Sequence, residues 1–132
     1  MSPEISELIA AARRVQGEFS LTADFVAGGI GAAVRGRSGR IYTGVCLDVA
    51  CGIGFCAEHA AVAEMLKNRE SEIEAIVAVD GNGVLAPCGR CRELMAQING
   101  ENLKSHVVLS EERVVILRDL LPEHWLTTVE RA

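Results

Sequence analysis

Three of the five cysteines stand where they could hold one metal ion. Cys88 and Cys91 are separated by two residues in Pro87-Cys88-Gly89-Arg90-Cys91, and Cys56 opens Cys56-Ala57-Glu58. Both segments read as helix starts. On the first turn of a helix, positions i and i+3 lie on one side, so the sulfurs of Cys88 and Cys91 can meet one ion. A third sulfur from a second helix start makes three ligands. Three protein ligands with an open fourth position is the arrangement of a catalytic zinc, which keeps a water there. Glu58 falls two residues after Cys56. Inside a helix those side chains would point apart, but the residue that opens a helix is not yet helical, so both can face the same ion. A carboxylate beside the metal and not bound to it can take a proton from the water and pass it on.

The helix starts also set the charge. Each presents unpaired N–H groups and about half a positive elementary charge, which favours the thiolates that zinc needs. Three thiolates still outweigh the dication, and that excess opposes ionisation of a bound water. Arg90, between the two C-x-x-C cysteines, is the candidate to offset it, and His59 is a second. A competing arrangement is a structural four-sulfur zinc site that adds Cys51, because C-x4-C with C-x2-C is a permitted spacing. It belongs to a different class of protein, a non-catalytic binding or interaction module, and it leaves Glu58 without a role.

The scaffold that must place these residues is legible from periodicity. Ser2-Pro3-Glu4 is a cap, a first-turn proline and an acid at the positive helix end. Ile5, Leu8, Ile9, Ala12 and Val15 follow at helical spacing, which predicts a helix over 3–16. Residues 28–34 read as extended, 35–39 as a turn and 40–47 as a strand, together a hairpin. Residues 48–55 read as a loop and 57–67 as a helix. The apolar run 73–79 suits a buried strand, followed by a turn at 80–83 and a short extended piece at 84–85. A second helix is expected over 88–98, strands at 106–109 and 113–115, and a short helix at 117–121 stopped by Pro122. A polar tail with Trp125 ends the chain. This order predicts one α/β domain over 1–132, with helices on a mixed sheet.

Composition narrows the partners. Hydrophobic residues are 49% of the 132, enough for a core, but aromatics are 4%, so that core must be aliphatic and alanine-rich. The net charge of −5 argues against a polynucleotide partner, which needs a basic face. No stretch approaches the roughly 20 apolar residues of a membrane span. Residues 1–12 carry Glu4 and Glu7 and no basic segment, so no secretory signal is expected. The expected location is the reducing cytoplasm, where cysteines serve metals or chemistry rather than disulfides.

Cys56-Ala57-Glu58 with Pro87-Cys88-Gly89-Arg90-Cys91 resembles the zinc-dependent cytidine deaminase superfamily. The resemblance runs from about Gly29 to Trp125 and includes the hairpin and the ending Asp119-Leu120-Leu121-Pro122. Within the superfamily the chain is similar to the small tetrameric branch with three cysteine ligands, which includes cytidine deaminase and blasticidin-S deaminase. It implies a three-layer α/β/α fold, a Zn²⁺ held by Cys56, Cys88 and Cys91, and Glu58 as proton shuttle. Water activated at the metal would attack C4 of a cytosine ring, with Glu58 protonating N3 and then the leaving amine. The backbone around Ala57 and Ala86 would hold the base edge, Trp125 would help close a site, and the assembly would be a homotetramer. The substrate would be cytidine, deoxycytidine or an analogue such as blasticidin S. The chain departs from the family where an Asn-x-Glu grips the ribose, because the matching triplet is Cys46-Leu47-Asp48. An aromatic residue that lines family sites is replaced in the Gly28-Gly29 region, with Phe25 nearby.

Overall fold

A computed structural model describes residues 2–129. Helix α1 (Pro3–Val15) begins as the sequence predicts, with Ser2 accepting the Ile5 N–H at its hydroxyl. Strands β1 (Phe19–Ser20), β2 (Val26–Gly36) and β3 (Ile41–Asp48) follow, then a 3-10 turn at Ala50–Gly52 and helix α2 (Ala57–Lys67). Next come β4 (Ile73–Asp80), β5 (Gly83–Leu85), α3 (Gly89–Ile98) and a 3-10 turn at Gly100–Lys104. Strands β6 (His106–Ser110) and β7 (Arg113–Ile116) lead to short helices α4 (Leu117–Leu120) and α5 (Trp125–Thr128).

All seven strands form one sheet, ordered β1-β2-β4-β6-β7, with β3 also on β2 and β5 also on β4. Every pairing is antiparallel except β4 with β6, and α3 lies in the crossover that a parallel pair requires. The expected mixed sheet is therefore present. Strand alternation sorts the core into two layers. Ala32, Val34, Ile76, Ala78 and Val107 pack with residues of α2 and α3. Ala33, Ala75, Val77, Val79 and Val108 pack on the other face with Leu8, Ile9 and Ala12 of α1. The shortage of aromatics has a steric counterpart. A Cβ at Gly44 of β3 would lie 2.4 Å from the Ala61 nitrogen of α2, so helix and sheet approach at backbone distance.

Two expectations change. The turn assigned to 35–39 starts later, because Arg35 is paired on both sides, with Ile41 of β3 and Ala75 of β4. Its guanidinium donates to the Glu4 carbonyl at 3.0 Å and pairs with Glu7, which lets an arginine sit 6% exposed within a strand. The polar tail gains an element that periodicity did not assign, the one-turn helix α5 at Trp125. The β2–β3 ladder also contains a bulge that periodicity did not reveal, between Ala27 and Gly31.

Two polar clusters pin the layers. Asn102 is fully buried; its Oδ1 accepts the Ile73 N–H at 2.7 Å, and its Nδ2 donates to the carbonyls of Ser71 and Met95. It thereby ties the end of α3 to the first residue of β4. Glu70 accepts from the Ser38 N–H, the Ser38 hydroxyl and the Tyr42 hydroxyl, and so clamps the β2–β3 turn. Burial opposes ionisation of Glu70, but these donors outweigh it and hold its carboxyl below the ordinary 4.5.

Replacing Asn102 by Ala strands three backbone groups, and a loss of about 2–4 kcal/mol in urea unfolding is expected. Glu70 stabilises the fold fully above its unfolded value of 4.5, and that contribution disappears as pH falls through its lower folded value. E70Q is expected to flatten the acid limb of stability against pH, read by thermal melts across that range.

Candidate active site

The cysteines occupy the positions that their chemistry needs. Cys56 caps α2 and Cys88 caps α3, both with extended backbone (ψ 153° and 168°), so neither side chain follows the helical direction. Cys91 sits in the first turn of α3 and is fully buried. The Cys56 and Cys88 sulfurs are 3.6 Å apart, those of Cys88 and Cys91 are 3.5 Å apart, and all three lie within 4.8 Å of one another. Four-coordinate zinc with Zn–S bonds of about 2.3 Å spaces its sulfurs by about 3.8 Å. The sulfurs are thus at the separation of a shared ion, and all three cysteines are free thiols. Cys51 is exposed in the 3-10 turn at φ 65° and lies outside this group. The geometry gives the four-sulfur arrangement no fourth ligand among the described residues.

Neighbouring contacts fix the two helix starts. Before α2, Phe55 exchanges two backbone hydrogen bonds with Leu47 of β3. Gly54 is needed there, because a Cβ would fall 2.1 Å from the Leu47 carbonyl. Before α3, Arg92 donates from Nε to the Pro87 carbonyl at 2.8 Å and from Nη1 to the Leu120 carbonyl at 3.2 Å. One guanidinium therefore braces the loop that carries Cys88 against the end of α4.

The electrostatics call for a cation. Burial pushes the Cys56 thiol up, and burial together with the Glu58 charge pushes the Cys91 thiol far up. Burial acts the same way on Cys88, but the N–H groups of Cys91 and Arg90 and the adjacent sulfurs win and bring that thiol down. Three crowded sulfurs can all be thiolates only with a positive charge among them. Glu58 is 6% exposed, and burial holds its carboxyl above the ordinary 4.5, partly opposed by backbone N–H and by Cys91. A carboxyl raised in this way holds a proton more readily than an ordinary glutamate, which suits a group that must hand one on.

Of the two charge-tuning candidates, it is His59 that touches the cluster, with Nδ1 3.4 Å from the Cys91 sulfur. Burial, and after it the Arg90 charge, disfavours the charged form of its ring. Arg90 is exposed, lines the cavity and acts on His59 through its charge.

One cavity of about 850 Å³ gathers most of the expected residues: Cys46, Asp48, Cys56, Glu58, Ala86, Cys88 and Arg90 all line it. Ala57 is fully buried between Cys56 and Glu58. Trp125 is not on this cavity's wall. Its N–H is held at 2.7 Å by the Glu93 carboxylate on α3, which places α5 along the outside of that helix. Phe25 reaches the wall from the entry of β2, together with Asp24 and Phe55. Asp24 and Phe55 carried no spacing signal beyond adjacency to Phe25 and Cys56.

No family model matches the chain. Among known proteins, the cytidine deaminase of Mycobacterium tuberculosis is 36% identical over 96 residues, spanning 71% of this chain and 70% of that one. The blasticidin-S deaminase of Bacillus cereus is 32% identical over 77 residues, 51% of this chain and 55% of that one. The crystal structure of the Mycobacterium tuberculosis cytidine deaminase superposes with a TM-score of 0.77 at 30% identity, covering 94% of this chain and 98% of that one. The expected α/β fold with its mixed central sheet agrees with that likeness. Sequence, fold and the grouping of three sulfurs beside a buried carboxylate lead to one conclusion: this chain belongs to the cytidine deaminase family.

Proposed function

We propose that this single-domain chain is a zinc-dependent enzyme that hydrolytically deaminates a cytosine nucleoside or a close analogue. Cytidine, deoxycytidine and blasticidin S-like compounds are the substrates in view. The observation that carries the reading is Glu58, a buried carboxyl facing the same cavity as the sulfurs of Cys56 and Cys88. The resemblance to proteins named cytidine deaminase and blasticidin-S deaminase supports it.

Cys56, Cys88 and Cys91 would hold Zn²⁺. When bound, zinc supplies a water made acidic enough to act as a nucleophile near neutral pH. His59, whose Nδ1 lies 3.4 Å from the Cys91 sulfur, would disperse the thiolate charge by donating to it. Arg90 adds a positive charge at the cavity wall. Deamination needs a proton on the ring nitrogen N3 and then one on the departing amine. Glu58, on the same cavity wall as Cys56 and Cys88, performs both transfers, and burial raises its carboxyl and so favours the protonated form that gives. Backbone groups near Ala57 and Ala86 meet the base edge, while Cys46 and Asp48 on β3 form the wall for the substituent.

The chain works on small molecules, and no described helix is long and apolar enough to cross a membrane. The proposal places it in the cytoplasm as a homotetramer. Exposed Ile53 and Phe55 on the loop leading to Cys56, and exposed Trp125 on α5, support burial against other copies.

E58Q is expected to lower kcat by about 10²–10⁴-fold with zinc still near one per chain by atomic absorption; full activity in E58Q would refute the mechanism. C88S should lose zinc and C51S should keep it. Zinc loss in C51S would instead favour the four-sulfur structural site. An ammonia-release screen of zinc-loaded protein against cytidine, deoxycytidine, cytosine, blasticidin S and purine nucleosides tests the substrate class, and silence across all of them would remove the enzymatic reading.

A further inference from the structure

Asparagine followed by glycine occurs twice, at Asn82-Gly83 and Asn99-Gly100. Such a pair is open to one reaction above others: the glycine nitrogen, with no Cβ beside it, can attack the asparagine side-chain carbonyl. The fold treats the two pairs differently. At Asn99 both ends of the amide are held, Oδ1 by the Glu101 N–H at 3.0 Å and Nδ2 by the Ser71 hydroxyl at 3.2 Å. Asn82 lies in the turn between β4 and β5, where its side chain is exposed and its backbone N–H alone is bonded among the described residues. That backbone is fixed by Asp80, whose Oδ1 accepts the Asn82 N–H at 2.7 Å and the Gly83 N–H at 3.0 Å. Gly83 has φ 142°, a conformation that glycine alone adopts readily, and a Cβ placed there would meet nothing within 4 Å. The turn thus requires the glycine and leaves it uncrowded.

We infer that Asn82 is a self-modification site, at which the chain hydrolyses its own side-chain amide with Asp80 as the base. The Gly83 nitrogen bonds to Cγ of Asn82 and closes a succinimide ring. Its proton passes to Asp80 Oδ1 and from there to the departing Nδ2, which leaves as ammonia. Water then opens the ring at either carbonyl, so residue 82 becomes aspartate or isoaspartate. Water is the only co-reactant. The nitrogen attacks through the lone pair normal to the peptide plane, whereas its N–H points to Asp80 within that plane. The contact therefore draws off the proton without blocking the attack. The isoaspartyl product adds a methylene to the backbone of a turn whose strand β5 is tied to β4 by only three residue pairs. Leu85 at the end of β5, and Ala86 after it, line the cavity, so the modification loosens one wall.

The test ages the full chain in neutral buffer made with heavy-oxygen water and reads its tryptic peptides by mass. Peptide 70–90 holds Asn82 as its sole asparagine, and 93–104 holds Asn99. In the folded chain, residue 82 is expected to take up the label at least about tenfold faster than residue 99, the scale of the hydrogen bonds that restrain Asn99. In urea, where both pairs are equally free, the two rates should be similar. Isoaspartate at 82 is confirmed by its labelling with an isoaspartyl carboxyl methyltransferase, and N82Q should stay unlabelled. D80S keeps a turn-forming side chain but has no base, and it is expected to slow conversion about tenfold in the folded chain and not in urea. A merely structural Asp80 gives the opposite sign, because a freed turn lets the nitrogen reach Cγ more often. Equal conversion of the two asparagines in the folded chain, or D80S as fast as the unsubstituted chain or faster, would overturn the inference. The isoaspartyl form, separated by its added charge, is expected to exchange its β5 amides about tenfold faster; unchanged exchange would overturn the link to the cavity wall.

Discussion

Three sulfurs held within 4.8 Å of one another at two helix starts is the constraint that organises this molecule. Like groups that can each carry negative charge do not assemble at this spacing unaided. The fold brings them together by converging the first turns of α2 and α3 on one face of the sheet. Convergence needs backbone-distance packing, which Gly44 against Ala61 supplies. It also needs loops that cannot drift, which the Leu47–Phe55 exchange and the Arg92 brace provide. Burial then makes the thiolates costly, so a bound dication is linked to the state in which all three ionise.

The same convergence distributes roles over the cavity. Glu58 is close enough to the sulfurs to feel them and buried enough to keep a proton at higher pH than an ordinary glutamate. His59 backs the cluster from within α2, while Arg90 stands at the cavity wall. On β3, Cys46 and Asp48 form a separate pair that meets the sulfur group only through the shared space. The sulfurs and Glu58 thus come from the loops and first turns of α2 and α3, and Cys46 and Asp48 from the β2–β3 hairpin.

Much of this was legible in the sequence, because it is written in short-range patterns. C-x-x-C with a third cysteine and a nearby glutamate announces the cluster, and helical spacing located α1, α2 and α3 to within a residue or so. What escaped depends on contacts distant in sequence. Arg35 reads as a turn residue until Glu4 and Glu7 are seen to cover it. Asn102 reads as loop polarity, yet it is fully buried and bonds Ile73, 29 residues away. The bulge at Gly28–Ile30 has glycines as its only local trace, and His59 rather than Arg90 makes the sulfur contact because the ring points back across to α3. Trp125 is held through its backbone N–H by Glu93 and lies off the wall of this chain's own cavity.

The one parallel pair in the sheet sets an order of assembly. Cys88 and Cys91 lie inside the crossover between β4 and β6, and α3 gains its sheet contact only as that long connection closes. Closing it costs chain entropy that local contacts do not return. A nascent chain therefore displays all of its thiols before it owns a shared site, and gathers them when Val107 seats beside Ile76. An ion held by all three sulfurs would thus be linked to completion of the sheet rather than to synthesis of the ligands.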